Sequence, residues 1–345
     1  MAGADPLGAD EFARRLPALN AAADRAGLVT AFRDLLPTPD ALAGLAPHEC
    51  LAAMRDLGML LGSLKRHGVE PADAVPEAVP VLCELGARTD MVPRDTVQHY
   101  GPWNPADHRC RAYVGSSQED AMQASMRLVH PHMRRALDLC DVLAGTEPRD
   151  PAFPAALGEL TERTEVMTEA MDLVSGAVTP SYFAHIMRPY YEEVTIAGDV
   201  LLGPAAAQVP LWLVDLAVWA SDRSEPDYQQ FLAESVRYSL PKWRAYHTAW
   251  LSRESVVTRV VSALREAEDS PALTESATLL ADLLRTITVF RGRHLSMARR
   301  SYRIEVRLYD LGSGGGNVPL LGQILDLTRQ AASLVRARGA ANAAR

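Results

Sequence analysis

No stretch of this sequence is apolar for long enough to span a bilayer. The most apolar segment, Val209 to Ala220, is short and interrupted by Asp215. The N-terminal stretch Met1 to Pro17 mixes small, acidic and basic residues and lacks the apolar region of a secretory signal. Both absences predict a cytoplasmic protein that does not engage a membrane. Cysteine is scarce: Cys50, Cys83, Cys110 and Cys140 are the four in 345 residues, and none forms a CxxC pair. That spacing does not build a zinc site, and without CxxCH a covalently attached c-type haem is set aside, so buried reduced thiols are expected. Positive charge is outnumbered, 35 Lys and Arg against 43 Asp and Glu for a net charge of −8, which argues against non-specific nucleic-acid binding. Alternating strand-like runs are few, and no repeat of fixed period marks a solenoid. Neither a GxGxxG after a strand nor a glycine loop followed by lysine occurs, so nucleotide-binding readings fall away.

What the sequence has in abundance is helical periodicity. Ala, Leu, Arg and Glu dominate, and apolar residues recur at three- and four-residue spacing, which predicts an all-α fold. A helix from about His48 to Arg66 carries the stripe Leu51, Met54, Leu57, Leu61 and Leu64. Between Gly86 and Ser117, Pro93, Gly101, Pro102, Asn104, Pro105 and Gly115 interrupt any helix and predict a long connection. Within it His99, Tyr100 and Trp103 are expected on a surface loop, the alternative being that they cap the pocket of a bound cofactor. Further helices are expected near 118–145, 151–176, 180–192, 207–222, 225–238, 253–266, 272–303 and 318–337. Thr179 before Pro180 is a good start signal for the third of these. The domain reading is a small helical block with its connecting loop over 1–117, a larger helical domain over 118–337, and a frayed tail over 338–345.

Two features carry candidate chemistry. On the expected helix through 272–303, Leu280, Leu284, Ile287, Phe290, His294 and Ala298 share one face, so His294 stands among core residues. A histidine there satisfies its ring nitrogens through a buried hydrogen bond or gives one to a metal. Arg291 and Arg293 flank it, and guanidinium groups suit carboxylates. Downstream, Gly312-Ser313-Gly314-Gly315-Gly316 precedes Asn317, a helix cap. Bare backbone there holds a ligand's anionic group or serves as a flexible linker. His130-Pro131-His132 lacks the spacing of a helical metal pair, Glu192-Glu193 reads as a solvated helix end, and Trp212, Trp219, Trp243 and Trp250 read as core or pocket wall.

Phe290-Arg291-Gly292-Arg293-His294-Leu295, Arg300 to Tyr302, the Gly-Ser-Gly-Gly turn and Leu325 to Thr328 together resemble the C-terminal signature of the indoleamine 2,3-dioxygenases. Pro180-Ser181-Tyr182-Phe183 through Met187-Arg188-Pro189-Tyr190 resembles that family's aromatic segment with Arg-x-Tyr. Gly203 to Asp215, containing Gln208, resembles its Gly-to-Asp stretch, and Arg237-Tyr238-Ser239-Leu240-Pro241 its Arg-Tyr turn. The likeness runs from about Thr164 to Val335, with the motifs in order. The general pattern is similar to the pyrrolnitrin-pathway branch of the tryptophan/indoleamine dioxygenase superfamily.

The resemblance implies a larger haem-binding helical domain, haem b and O2. It makes His294 the proximal iron ligand, with Arg291, Arg293, Phe290 and Gly314 beside the cofactor and the two arginines suited to its propionates. Arg188 is implied to bind the substrate carboxylate, Phe183 to line the pocket beside an indole, and Ser313 and Gly315 to meet the substrate's polar end. The sequence departs from the pattern at Gly316, where the family has threonine, and at Ala205-Ala206-Ala207, where it has a serine-containing stretch. The distal residue is not placed within 118–128. The expected function is oxygenation of tryptophan, a modified tryptophan or a related aromatic amino acid in secondary metabolism, with a small-molecule substrate and a homodimer left open. Alternatives are a haem peroxygenase, hydroxylase or N-oxygenase of another aromatic amino acid, a non-catalytic haem sensor, and a helical interaction protein without cofactor.

Overall fold

Side-chain caps start several of the helices. Asp24, Thr38, Thr179 and Ser255 each accept a hydrogen bond from a backbone N–H three residues on, and Asn317 Oδ1 accepts from Leu320 N–H at 2.8 Å. The computed structural model describes residues 3–251, 253–266, 270–301 and 317–343. Among the described residues the fold is all-α apart from two three-residue strands. No helix among the described residues is long and apolar enough to cross a membrane.

The chain divides into two compact units, each assembled from separate segments. The first takes residues 1–127, 174–208 and 301–315; the second takes 128–173, 209–300 and 316–345. The first unit thus includes 174–208, a stretch that chain order alone joins to the larger block. At the C-terminus, the helix Val318–Ala343 continues past residue 338.

At the centre of the first unit lies the helix Pro47–Arg66. The predicted stripe is there, but the surroundings go further, burying every residue from Ala52 to Leu64. Its polar residues are therefore partnered. Arg55 donates to Asp56, and Asp56 also accepts from Arg111, which reaches Asp5 and Asp10. Gly62 lets Tyr113 and the Tyr190 carbonyl approach the helix; a Cβ there would lie 2.4 Å from the Tyr113 hydroxyl.

Two parts of this unit were not expected. Val194–Ile196 pairs antiparallel with Asp199–Leu201 through the two-residue turn Ala197-Gly198, both at positive φ. The connection between the early helices and the helix Ser117–Gly145 is an organised, buried segment. Glu119 ties its end by accepting the N–H groups of Tyr113, Val114 and Gly115 at 2.7–2.9 Å.

In the second unit the helices Ala152–Ala177, Pro226–Val236, Val256–Arg265, Pro271–Ser301 and Val318–Ala343 contribute to one apolar core. Trp212, Trp219, Trp243 and Trp250 are buried in it. The helix Pro241–Trp250 was not foreseen: Pro241, read as a turn residue, stands at its first position, where the missing N–H is harmless. Lys242 and Tyr246 anchor it to Asp138.

Candidate active site

Phe183 and Arg188 are five residues apart, a spacing that sets them on different faces of an α-helix. The backbone between them instead widens into a π-helical turn, Phe183–Met187, and Arg188 N–H donates to the Phe183 carbonyl. One π turn separates the two residues, which brings them closer to a common face than α-helical spacing does. Pro189 has no N–H with which to continue, and the chain tightens into a 3-10 turn over Arg188–Tyr191. Arg188 is buried, and its Nη1 donates to the Tyr191 carbonyl at 3.3 Å. Phe183 is half-buried against the core of the first unit.

The Arg188 turn is backed by the glycine of the Gly-to-Gln stretch. A Cβ on Gly203 would fall 2.4 Å from the Tyr191 carbonyl oxygen, with backbone rather than a flexible side chain in the way. Gly203→Ala is expected to destabilise by about 1–3 kcal/mol through this overlap. Urea unfolding measures it, and an unchanged midpoint would show that the contact is easily relieved. Gln208 Nε2 donates to the Gly203 carbonyl at 2.9 Å, and its Oε1 accepts from Val97 N–H at 2.7 Å.

Through Gln208 the segment around residues 94–104 joins the Arg188 turn. The sequence predicts a surface loop for His99, Tyr100 and Trp103, but His99 is 1% exposed and Tyr100 5%, while Trp103 is half-buried. The reason is long-range bonding. Arg94 Nη1 donates to the carbonyls of Leu201 at 2.8 Å and Glu192 at 3.2 Å, and the Tyr100 ring meets Tyr191 edge-on at 5.5 Å. His99 Nδ1 accepts from the Thr96 backbone N–H at 3.0 Å, which places the ring proton on Nε2. Burial, aided by the Arg55 charge, pushes His99 down to about 3.

A histidine depressed in the folded state binds its proton more readily when unfolded. Stability from this group is present above the unfolded value, near 6.5, and is lost as pH falls from there toward about 3. Asp95 and Glu119 in the same unit are pushed up by burial and act in the opposite sense, so the histidine is isolated by substitution. His99→Gln is expected to flatten the decline of melting temperature between pH 6.5 and 4 relative to the parent. Parallel profiles would show that another group sets the slope.

In the second unit the stripe Leu280, Leu284, Ile287, Phe290 and Ala298 is buried as the periodicity predicts. His294 stands on it, half-buried, with the Phe290 ring stacked at 5.8 Å. Desolvation, with a smaller push from Arg291, holds the imidazole at about 4, so it is neutral at physiological pH. Among the described residues no hydrogen bond engages either ring nitrogen.

Both flanking arginines have protein partners. The Arg291 guanidinium pairs with Asp215, a fully buried carboxylate that also accepts from Trp219 Nε1 and the Tyr228 hydroxyl, each at 2.9 Å. Arg293 meets Asp172 at 2.6 Å on the surface, where such a pair is worth little. A cofactor carboxylate would therefore be a second anion for either one. Asp215 ends the helix Leu211–Asp215, and another π turn, Leu216–Ala220, follows it. Ser313, Gly314, Gly315 and Gly316 lie outside the described residues.

An unengaged neutral imidazole on this helix is a donor that would fit a haem iron. Together with the aromatic–arginine turn, it fits the class of all-helical oxygenases. A family model described as monodechloroaminopyrrolnitrin synthase PrnB matches residues 14–338, and the chain belongs to that family. The family is one of haem-dependent oxygenases, and it implies a small, tryptophan-derived substrate of pyrrolnitrin biosynthesis.

Proposed function

We propose that this chain binds haem b through His294 and uses it with O2 to oxygenate tryptophan, a modified tryptophan or a related indole amino acid in secondary metabolism. The observation that carries this reading is His294 itself: a neutral ring, without a hydrogen-bonding partner among the described residues, on the helix of the family signature. When bound, haem supplies the redox chemistry that activates O2.

The chain's own residues supply position and charge. Arg188 clamps the substrate carboxylate, held in orientation by its bond to the Tyr191 carbonyl, and Phe183, one π turn away, sets the plane of the indole. Phe290 packs beside the iron ligand, and Arg291, locked to Asp215, fixes the rotation of the ligand helix. Arg293, the residue before His294, would offer its guanidinium to a propionate in competition with Asp172. Ser313, Gly314 and Gly315, outside the described residues, would meet the substrate's polar end and the cofactor by the family resemblance. The protein works in the cytoplasm, as a monomer or a homodimer.

The test is an optical spectrum of the purified protein, ferric and reduced, with CO and with tryptophan titrated in. A Soret band that shifts with CO and again with tryptophan is expected. A colourless protein that fails to take up added haemin overturns the reading. Arg188→Ala is expected to weaken tryptophan binding at least tenfold, about 1.4 kcal/mol, with haem content unchanged. Loss of haem from that variant would remove the carboxylate assignment. Labelled O2 then separates incorporation of two atoms from one.

A further inference from the structure

Burying a polar atom without a partner is unfavourable, so native structures keep few of them and each requires a cause. In the first unit two such atoms belong to consecutive residues. Gln98 Oε1 and His99 Nε2 are buried and have no hydrogen-bonding partner among the described residues. Gln98 and His99 are each 1% exposed.

Their chemistry is complementary. With Nδ1 occupied as an acceptor from Thr96 N–H, His99 presents Nε2 as a donor, whereas Gln98 Oε1 can only accept. Burial, with a smaller contribution from the Arg55 charge, keeps the imidazole neutral, so Nε2–H is a neutral donor able to meet a carboxylate. One acceptor and one neutral donor, on consecutive residues, match the ammonium and the carboxylate of an α-amino acid.

Position connects them to the substrate site. The turn Val97–Tyr100 that carries both residues is braced by Gln208, whose other end holds Gly203 against the Tyr191 carbonyl. Arg188 donates to that same carbonyl, and Tyr100, the next residue after His99, packs edge-on against Tyr191. All of these residues belong to the first unit.

We propose that Gln98 and His99 form the amino-acid end of the substrate site: Gln98 Oε1 accepts from the α-ammonium, and His99 Nε2–H donates to the α-carboxylate that Arg188 also binds. The assignment rests on the reading of the chain as an oxygenase of an indole amino acid, and it narrows the substrate to one with both charged groups intact. A site built around buried hydrogen-bonding groups rejects analogues that lack the partner, because those groups are then left unpaired.

Calorimetric binding of L-tryptophan, tryptamine and indole-3-propionate to the holoenzyme tests this. For the parent, each analogue is expected to bind at least tenfold more weakly than L-tryptophan. Gln98→Leu is expected to weaken L-tryptophan about tenfold and leave indole-3-propionate, which lacks the ammonium, unchanged. His99→Phe is expected to weaken L-tryptophan and indole-3-propionate and spare tryptamine, which lacks the carboxylate. Gln98→Glu, which keeps the acceptor oxygen, is expected to retain binding of L-tryptophan. Equal weakening of all three ligands in a variant, or none, overturns the proposal. If Arg188→Ala loses carboxylate-bearing ligands while both neighbouring variants bind normally, the proposal fails and the oxygenase reading stands. If the parent binds none of the three, both fail. Should either variant not fold, as melting curves reveal, the parent's analogue series decides: equal affinity for L-tryptophan and the two analogues overturns it.

Discussion

Asp215→Ala is expected to destabilise the protein by about 3–5 kcal/mol. The carboxylate is fully buried and receives three donors: Trp219 Nε1, the Tyr228 hydroxyl and the Arg291 guanidinium. Truncation strands all three, and the decisive one is Arg291, whose side chain is only 10% exposed and cannot shed its proton. An uncompensated buried charge is far worse than a buried pair that is absent altogether. The double substitution Asp215→Ala with Arg291→Met is therefore expected to recover part of the loss, because the charge and its partner leave together. Urea unfolding of the parent, both single variants and the double variant closes the cycle. Additive losses would show that the two residues do not depend on each other and that Arg291 finds another anion.

That pair also shows what the sequence hides. Asp215 and Arg291 are 76 residues apart, and each alone reads as an ordinary charge in an otherwise apolar helix. Features written in local chemistry were legible: the caps at Thr179 and Asn317, and the stripe from Leu280 to Ala298 that carries His294. The aromatic and arginine of the substrate motif were legible as residues but not as a pair, since α-helical spacing separates Phe183 from Arg188 and only the π turn brings them closer to a common face. The hairpin at Val194–Leu201 escaped because its strands are three residues long and its turn is Ala-Gly rather than Asn-Gly. The segment around His99 misled for a different reason. Its prolines and glycines do break helices, but burial there comes from the bonds of Arg94 to the Leu201 carbonyl and of Val97 to Gln208, partners about a hundred residues away in sequence, which no local pattern announces.

His294→Ala is expected to abolish stable haem uptake while leaving the fold intact, and the combination is what separates a ligand from a structural histidine. A structural histidine on a buried face holds hydrogen bonds, and its truncation destabilises by about 1–3 kcal/mol through the partners it strands. His294 has no such partners among the described residues, its ring is half-buried, and alanine is the better helix former, so the melting temperature of the haem-free protein should barely move. Haem binding, by contrast, would keep only apolar and propionate contacts, and a loss of at least a hundredfold in affinity, about 2.7 kcal/mol, is expected. Haemin titration followed at the Soret band, beside melting curves of the haem-free forms, measures both quantities on the same samples. Added imidazole should restore part of the band in the variant by occupying the space the side chain left. An unchanged Soret band in His294→Ala would remove the ligand assignment outright. A large drop in the melting temperature with normal haem affinity would make the residue a core histidine instead.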